Sequence, residues 1–348
     1  MEENKRHEII LKYIKERITE KPIFLMMVGL SGSGKSTVAE QLRQNIEKTG
    51  NEIAVLSSDE IRLELLGDAS EQSKNGLIFD VMHKRTLENL HKGVSVIYDA
   101  TNLNLKDRKG ILESIKNANI DCYKIAYIIP TPFSLCVINN SNRNRIVPFE
   151  VIKKQQYKFQ IPIYQEGFNF IGIEGYDYCD FFDLMSEKSV VLKDTPFTLL
   201  RLIENFDQGT HYHKFSLLEH SILTYEEILR KTRKADEGNK PLEIAALLHD
   251  FGKLKTKQLN ERNEYSYLNH ANVGAYDFLQ NLDQLGLNCL YDALYCVALI
   301  NYHMEPFGWL DAKTSTVEKK KLFFGEKMYN ELMMLNEADM YASTGEHN

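Results

Sequence analysis

Two groups of residues in this chain have the types and spacing that chemistry requires. The first is Gly29-Leu30-Ser31-Gly32-Ser33-Gly34-Lys35-Ser36-Thr37, which meets the pattern G-x-x-x-x-G-K-[ST] at every defined position. Glycines Gly29, Gly32 and Gly34 let the backbone fold round a polyphosphate. The N–H groups from Ser31 and Ser33 to Thr37, with the N-terminus of the following helix, then face the anion. Lys35 reaches the outer phosphates and the Ser36 hydroxyl can ligate Mg²⁺. ATP with Mg²⁺ is the expected ligand. The second group centres on His249-Asp250, at the end of the apolar run Ala245 to Leu248 and before Gly252-Lys253. Adjacent imidazole and carboxylate can share a divalent ion if a helix end lets both turn inward. Further ligands must come from other helices, and His220, His270, His303 and Asp339 are the candidates, giving the order H…HD…H…H…D.

Elements that position the first group are legible around it. Ile23–Val28 reads as a strand before the loop, and a helical pattern follows through Val38, Leu42 and Ile46. Further strands are expected at Ile53–Ser57, Val94–Tyr98 and Tyr123–Ile129, with helices such as Asp59–Leu66 and Asp80–Leu90 between them. Alternation of this kind predicts a parallel sheet covered on both faces, with ligands at the carboxyl ends of its strands. Ser58-Asp59 and Asp99 then converge on the phosphate loop. Asp59 can serve as general base or as an N-cap, and Arg62, one turn on, shares its face. Residues 1–20 carry Ile9, Ile10, Tyr13, Ile14 and Ile18 at helical spacing, predicting an amphipathic helix packed on this domain. Val190–Lys193 is the last expected strand, and Pro196 follows it. Beyond about residue 195 helical patterns dominate, and seven of the ten histidines lie there. The organisation expected is an N-terminal helix (1–20), an α/β parallel-sheet domain (21–195) and an all-α domain (196–348).

The chain has 348 residues, enough for two domains, with 43% apolar and 26% charged residues, as in a globular protein. No apolar run reaches the ~18–20 residues that span a bilayer, and Met1 to Arg6 lack a signal-peptide core. A cytoplasmic location without membrane contact is the expectation. Five scattered cysteines with no C-x-x-C pair read as reduced thiols. The net charge of −7 does not advertise a nucleic-acid binder. Between Ser141 and Gln160, however, Arg143, Arg145, Lys153, Lys154 and Lys158 oppose only Glu150. That basic stretch is either a solvated helix face or a lid.

Four motifs together resemble the phosphate-loop kinases typified by phage and bacterial polynucleotide 5′-kinases. They are the loop, Asp59-x-x-Arg62, Asp99-Ala100-Thr101-Asn102 with Arg108 behind it, and Arg143-Asn144-Arg145-Ile146-Val147-Pro148 leading to Glu166-Gly167-Phe168. The resemblance covers roughly residues 22–180. It implies that Asp59 activates a 5′-hydroxyl, that Arg62, Asp99 and Asn102 serve the acceptor, and that Arg143 or Arg145 in a lid stabilises the transferring phosphate. A further arginine common in that family is replaced here by Asn139-Asn140.

The second segment, about 196–345, resembles the HD-domain phosphohydrolases and the HD domains of some CCA-adding tRNA nucleotidyltransferases. By that resemblance His220, His249, Asp250 and Asp339 ligate a first metal, a divalent transition ion such as Mn, Ni, Co, Fe or Zn. His270 and His303 belong to a second metal or contact phosphate. Lys253 and His213 bind phosphate, although Lys253 can equally be a cation at a helix end.

One domain adding phosphate and another opening a phosphoester suggest nucleic-acid end repair: an RNA or DNA 5′-hydroxyl is phosphorylated and a 2′,3′-cyclic phosphate or 3′-phosphate is removed. Sealing would fall to a separate RNA ligase, since no K-x-D-G motif is present. A small-molecule kinase fused to a nucleotidase, and an ATP-binding nucleotide sensor, are the other readings.

Overall fold

The computed structural model describes residues 7–143, 145–176, 199–209, 215–232, 239–261, 263–287, 289–310 and 312–344. The chain divides into two compact units, one built on a sheet and one on helices.

In the first unit five strands, β1 (Ile23–Val28), β2 (Ile53–Ser57), β3 (Ser95–Asp99), β4 (Tyr123–Ile128) and β5 (Phe170–Ile173), form one parallel sheet in the order β2-β3-β1-β4-β5. All six residues of the central β1 are buried, which is why it reads as an unbroken apolar run. The carboxyl ends of β1, β3 and β2 lie side by side, so the phosphate loop, Asp99 and Ser58-Asp59 meet at one edge of the sheet. Helix α1 (Glu8–Arg17) buries Ile10, Leu11 and Ile14 in the same cluster as Val38, Leu42 and Ile46 of α2 (Lys35–Glu47). Helix α3 (Ser58–Leu66) is capped by the Ser57 hydroxyl, which accepts from the Glu60 amide. Helix α4 (Asn75–His91) starts five residues before the expected Asp80. Gly76 and the exposed Leu77 break the apolar periodicity in its first turn. Strand β5 was not expected: it is four residues long, contains Gly172, and pairs only with β4 at the sheet edge.

Helix α5 (Leu105–Asn117) contributes Arg108, which is fully buried and bidentate to Glu166, with Nε and Nη2 each 2.7 Å from a carboxylate oxygen. Its Nη1 donates to the Asn102 carbonyl at 3.1 Å, so the Asp99–Asn102 loop and the Glu166 turn are tied through one guanidinium. Removing one partner of such a pair costs about 3–5 kcal/mol. Helix α6 (Phe133–Ser141) leads into the basic stretch, and α7 (Phe149–Tyr157), which carries Lys153 and Lys154, lies within it.

In the second unit the principal helices are α8 (Leu217–Thr232), α9 (Lys240–Leu248), α10 (Lys253–Thr256), α11 (His270–Phe278), α12 (Leu290–Tyr302) and α13 (Thr314–Thr344). The expected all-α character is interrupted by a hairpin of two-residue strands, Gln258–Leu259 with Tyr265–Ser266. Apolar α9 is buried from Leu242 to Leu248 and is started by the Asn239 side chain and a proline in its first turn. Residues Tyr157–Ile161 group with this unit. The Asn301 amide accepts from the Ile161 N–H at 2.6 Å and donates to the Phe159 carbonyl, while Tyr302 Oη donates to the Ile161 carbonyl. Residues 1–6, the expected boundary near 195 and the expected strand Val190–Lys193 lie outside the described residues.

Candidate active sites

Gly34 adopts φ 93° as the N-cap of α2, and Gly32 adopts φ 82°. A Cβ at Gly32 would stand 2.1 Å from the Cys136 carbonyl, so only glycine lets α6 pass this close to the loop. Lys35 Nζ donates to the Leu30 carbonyl at 2.7 Å, and the Ser36 hydroxyl donates to Asp99 Oδ2 at 2.6 Å. Burial pulls the Lys35 ammonium below its ordinary pKa, with Asp99 pushing back, and burial raises the Asp99 carboxyl. Both groups have given up water beside the glycine loop, the setting in which a polyphosphate and its Mg²⁺ replace lost hydration, although two N–H groups expected to face the anion are taken within the protein, Ser31 by Gln155 Oε1 and Ser33 by the Leu30 carbonyl. Asp99, expected from the resemblance to serve the acceptor, instead accepts from Ser36, and the two present hard oxygens of the kind Mg²⁺ takes.

A cavity of about 840 Å³ opens from the loop and is lined among others by Ser36, Asp59, Arg62, Asp99, Arg143 and Arg145. Asp59 Oδ1 lies 2.8 Å from Arg62 Nη1 and 2.5 Å from Arg145 Nη1. Arg62, nearly buried, donates its other terminal nitrogen to Asn75 Oδ1 at 2.8 Å. The helical spacing of Asp59 and Arg62 thus places both on one face, as the sequence suggested. Arg143 lines the cavity without touching Asp59. Asn102 sits elsewhere: it is buried at φ 50°, and its amide nitrogen donates to the Met27 carbonyl at 2.7 Å. It pins the loop after β3 to β1, and it does not line the cavity.

Where the family resemblance led us to expect an arginine, the two asparagines have backbone partners. Asn139 donates to the Gly32 carbonyl at 3.1 Å, and the Asn140 amide makes a reciprocal pair with Val147, 2.8 Å to its carbonyl and 2.9 Å from its N–H. The pair closes the loop that carries Arg143 and Arg145. Gln155 of α7 accepts from the Ser31 N–H at 2.9 Å and donates to its hydroxyl at 3.0 Å. Gln155 was missed in the sequence, where a glutamine on a basic helix carries no signal.

In the helical unit His220, His249, Asp250, His270, His303 and Asp339 come together from α8, the end of α9, α11, the end of α12 and α13. His220 Nε2 is 3.2 Å from His249 Nε2, 3.3 Å from Asp250 Oδ2 and 3.2 Å from Asp339 Oδ1. On the other side of the same carboxylate, Asp250 Oδ1 is 3.0 Å from His270 Nε2 and 3.8 Å from His303 Nε2, and these two imidazoles are 3.1 Å apart. Donors held about 2.1 Å from one ion are about 3.0–3.4 Å from one another in octahedral or tetrahedral shells. The spacing fits a divalent ion, and Asp250 offers one oxygen to each pair of histidines.

Three of the histidines are oriented alike. The Nδ1 atoms of His249, His270 and His303 lie 2.9, 2.9 and 2.7 Å from the carbonyls of Ala246, Tyr267 and Ile300, three residues back. Each therefore presents Nε2 to the centre, the outer-sphere arrangement typical of metal-binding imidazoles. Although burial lowers its pKa, the carboxylates of Asp250 and Asp339 outweigh that and raise His220 to about 9. Burial, with His249 and His270 beside it, lowers His303 to about 3. Asp250 and Asp339 stay well below the usual carboxylate range despite burial, Asp250 held by Lys253 and the imidazoles around it and Asp339 by His220 and His249.

Lys253 Nζ is 2.6 Å from Asp250 Oδ2 and donates to Gln208 Oε1 at 3.0 Å. Tyr267 Oη donates to the Gln208 carbonyl. Sequence reasoning missed Gln208 and Tyr267, which lie in no motif. His213 lies outside the described residues.

Residues 24–162 match the model of a family described as AAA domain, and residues 217–343 match that of the HD domain. The chain is a phosphate-loop kinase-like domain followed by an HD domain. The L-seryl-tRNA(Sec) kinase of Methanococcus maripaludis is 24% identical to it over 258 residues, 72% of this chain and 98% of that protein. The signal recognition particle 54 kDa protein of Pyrococcus abyssi is 30% identical over 115 residues, 28% of this chain and 25% of the relative's length. Among solved structures, a chain of the Pnkp1/Rnl/Hen1 RNA repair complex aligns with a TM-score of 0.34 at 22% identity, covering 39% of this chain and 43% of that one. The Mycobacterium tuberculosis APS kinase CysC, in complex with AMPPNP and APS, aligns at 0.34 and 16%, covering 49% and 96%. The kinase-like domain holds the loop and Asp59, and the HD domain holds the histidine cluster. Among the described residues no helix is long and apolar enough to cross a membrane.

Proposed function

We propose that the chain heals RNA ends, with an ATP-dependent 5′-hydroxyl kinase in the first domain and a 2′,3′-cyclic phosphate or 3′-phosphate hydrolase in the second. The observation carrying the kinase half is Asp59, held by two guanidinium groups in the cavity that also contains Lys35, Ser36 and Asp99. Phosphoryl transfer is mostly positioning and charge neutralisation. Lys35 and the loop hold the polyphosphate, Ser36 and Asp99 hold Mg²⁺, and Asp59 takes the proton of the acceptor hydroxyl. Arg143, the lid arginine that touches no carboxylate of the site, neutralises the transferring phosphoryl group. Arg145 releases its share of Asp59 when the hydroxyl arrives.

In the HD domain Asp250 and the histidines on its two sides hold one or two divalent ions. When bound, such an ion lowers the pKa of its water and supplies hydroxide near neutral pH. Lys253, whose ammonium lies beside Asp250 and donates to Gln208 Oε1, turns to the phosphate oxygens. An RNA acceptor is supported by the similarity to a tRNA-directed kinase along nearly that protein's whole length. The same similarity favours a second reading, a hydroxyl carried by RNA away from its 5′ end.

The test is an RNA oligonucleotide with a 5′-hydroxyl and a 2′,3′-cyclic phosphate, incubated with ATP, Mg²⁺ and Mn²⁺, both ends being read by mass spectrometry. End healing requires a gained 5′-phosphate and an opened or removed cyclic phosphate. A seryl-tRNA is offered in a parallel incubation, and phosphate added only to it favours the second reading. With neither RNA modified while ATP or a nucleotide is turned over, the RNA proposal fails.

A further inference from the structure

The cavity has a wall that neither the phosphate loop nor the Asp59 cluster accounts for. It is formed by Gln72, by Asn75, Gly76 and Phe79 in the first turns of α4, and by Lys106 at the start of α5. Phe79 is half-buried, one helical turn beyond Asn75, whose Oδ1 accepts from Arg62. The ring therefore shares a helix face with the residue that ties α4 to Arg62 and Asp59. Among the described residues the Phe79 ring stacks on no other ring. Lys106 is exposed, with no carboxylate within ion-pair distance among the described residues, and the neighbouring Asp107 carboxylate accepts from Asn104.

An aromatic ring on the lining of a polar cavity, with a cation on the same lining that has no ion-pair partner among the described residues, has the composition of a nucleotide platform: the ring for a base, the cation for a phosphate, the amides of Gln72 and Asn75 for a base edge. A nucleobase offers such a ring its whole π-face, more than the C–H face of a sugar can. We propose that this wall binds the acceptor's first nucleoside, its base stacked on Phe79 and its 3′-side phosphate facing Lys106, so that the 5′-hydroxyl is delivered to Asp59. The inference rests on the RNA 5′-kinase reading above and adds the element that selects a nucleoside.

The experiment compares two oligonucleotides with 5′-hydroxyls, one with an ordinary 5′-terminal base and one abasic at that position, as acceptors for the wild type, Phe79→Leu and Phe79→Tyr. Wild type should show an acceptor KM about 5- to 150-fold higher on the abasic oligonucleotide, the range expected for one stacked base. Phe79→Leu should lose the same factor on the base-bearing acceptor and nothing further on the abasic one, as a shared interaction demands. Phe79→Tyr should stay near wild type, and the KM for ATP should not move in any variant. Equal losses on both acceptors, or no loss on either, overturn the proposal. If Phe79→Leu does not fold, an absent abasic penalty in the wild type overturns it alone. An inactive wild type on both oligonucleotides removes the RNA 5′-kinase reading itself, whereas an active wild type indifferent to the base removes only the platform.

Discussion

Replacing Gly252 by alanine tests the proposed metal site without changing a candidate ligand. Gly252 has φ −62° and ψ −16°, angles any residue accepts, so the backbone itself is not strained by the change. The added Cβ would stand 1.9 Å from the His270 carbonyl oxygen and 2.8 Å from the Gly274 amide nitrogen. Opening 1.9 Å to an ordinary 3.4 Å contact requires about 1.5 Å of movement between the turn carrying Asp250 and the start of α11. His270 Nε2 lies only 3.0 Å from Asp250 Oδ1 and 3.1 Å from His303 Nε2, so that displacement is half of the spacing that defines the site.

Overpacking of this kind costs about 1–3 kcal/mol, and misplacing a ligand costs metal affinity about 10- to 100-fold. The expected variant folds with a lowered melting temperature, retains little Mn²⁺ per chain after dialysis, loses hydrolysis of a 2′,3′-cyclic nucleotide, and phosphorylates 5′-hydroxyl RNA at the wild-type rate. Gly274→Ala is the control: its Cβ meets Gly252 N at 3.0 Å, a contact that a few tenths of an ångström relieves, so its effect should be smaller. A Gly252→Ala protein with wild-type metal content and hydrolysis refutes the reasoning.

Lys35→Ala or Asp59→Ala should lower phosphate transfer at least about 10²-fold while sparing hydrolysis, and Asp250→Ala should do the reverse. Loss of both activities in any one of these, with folding intact, would remove the two-site account. Asn140→Ala breaks both hydrogen bonds that close the loop of Arg143 and Arg145, and should depress kcat for transfer more than the KM for ATP; an unaltered kcat dissociates that loop from the chemistry. Glu166→Ala strands the buried Arg108 and should cost about 3–5 kcal/mol in urea unfolding, several times the effect of a surface glutamate. Chelation by EDTA should lower the melting temperature, and restoring Mn²⁺ at about 100 times its Kd should return about 2.7 kcal/mol; a melting curve blind to both would mean that folding does not depend on the ion.

What could be read from the sequence was whatever chemistry leaves in local order. The loop, the Asp59-x-x-Arg62 pair and His249-Asp250 are legible because backbone curvature, one helical turn and one helix end fix them within a few residues. The strands β1 to β4 showed as apolar runs for the same reason, with β3 shifted by one residue and β4 ending one residue early. Edge strand β5 was not, since four residues with a glycine carry little pattern and its partner lies far away in the chain. Asn102 stood in a motif that suggested substrate contact, yet its amide holds β1, a contact 75 residues away that no spacing announces. Gln155, Gln208 and Phe79 act only through neighbours brought to them by the fold.

The placement of Tyr157–Ile161 bears on how such a chain could be divided or recombined. These five residues precede β5 of the sheet domain yet fill the helical one, with Phe159 and Ile161 buried and Phe159 edge-on to Tyr276. A gene fragment ending anywhere between the two family-matched stretches would leave one product with a greasy, unsatisfied loop and the other with an open groove beside Asn301 and Tyr302. A crossover that imported a foreign HD domain would therefore have to bring a matching pentapeptide at the end of the kinase-like match.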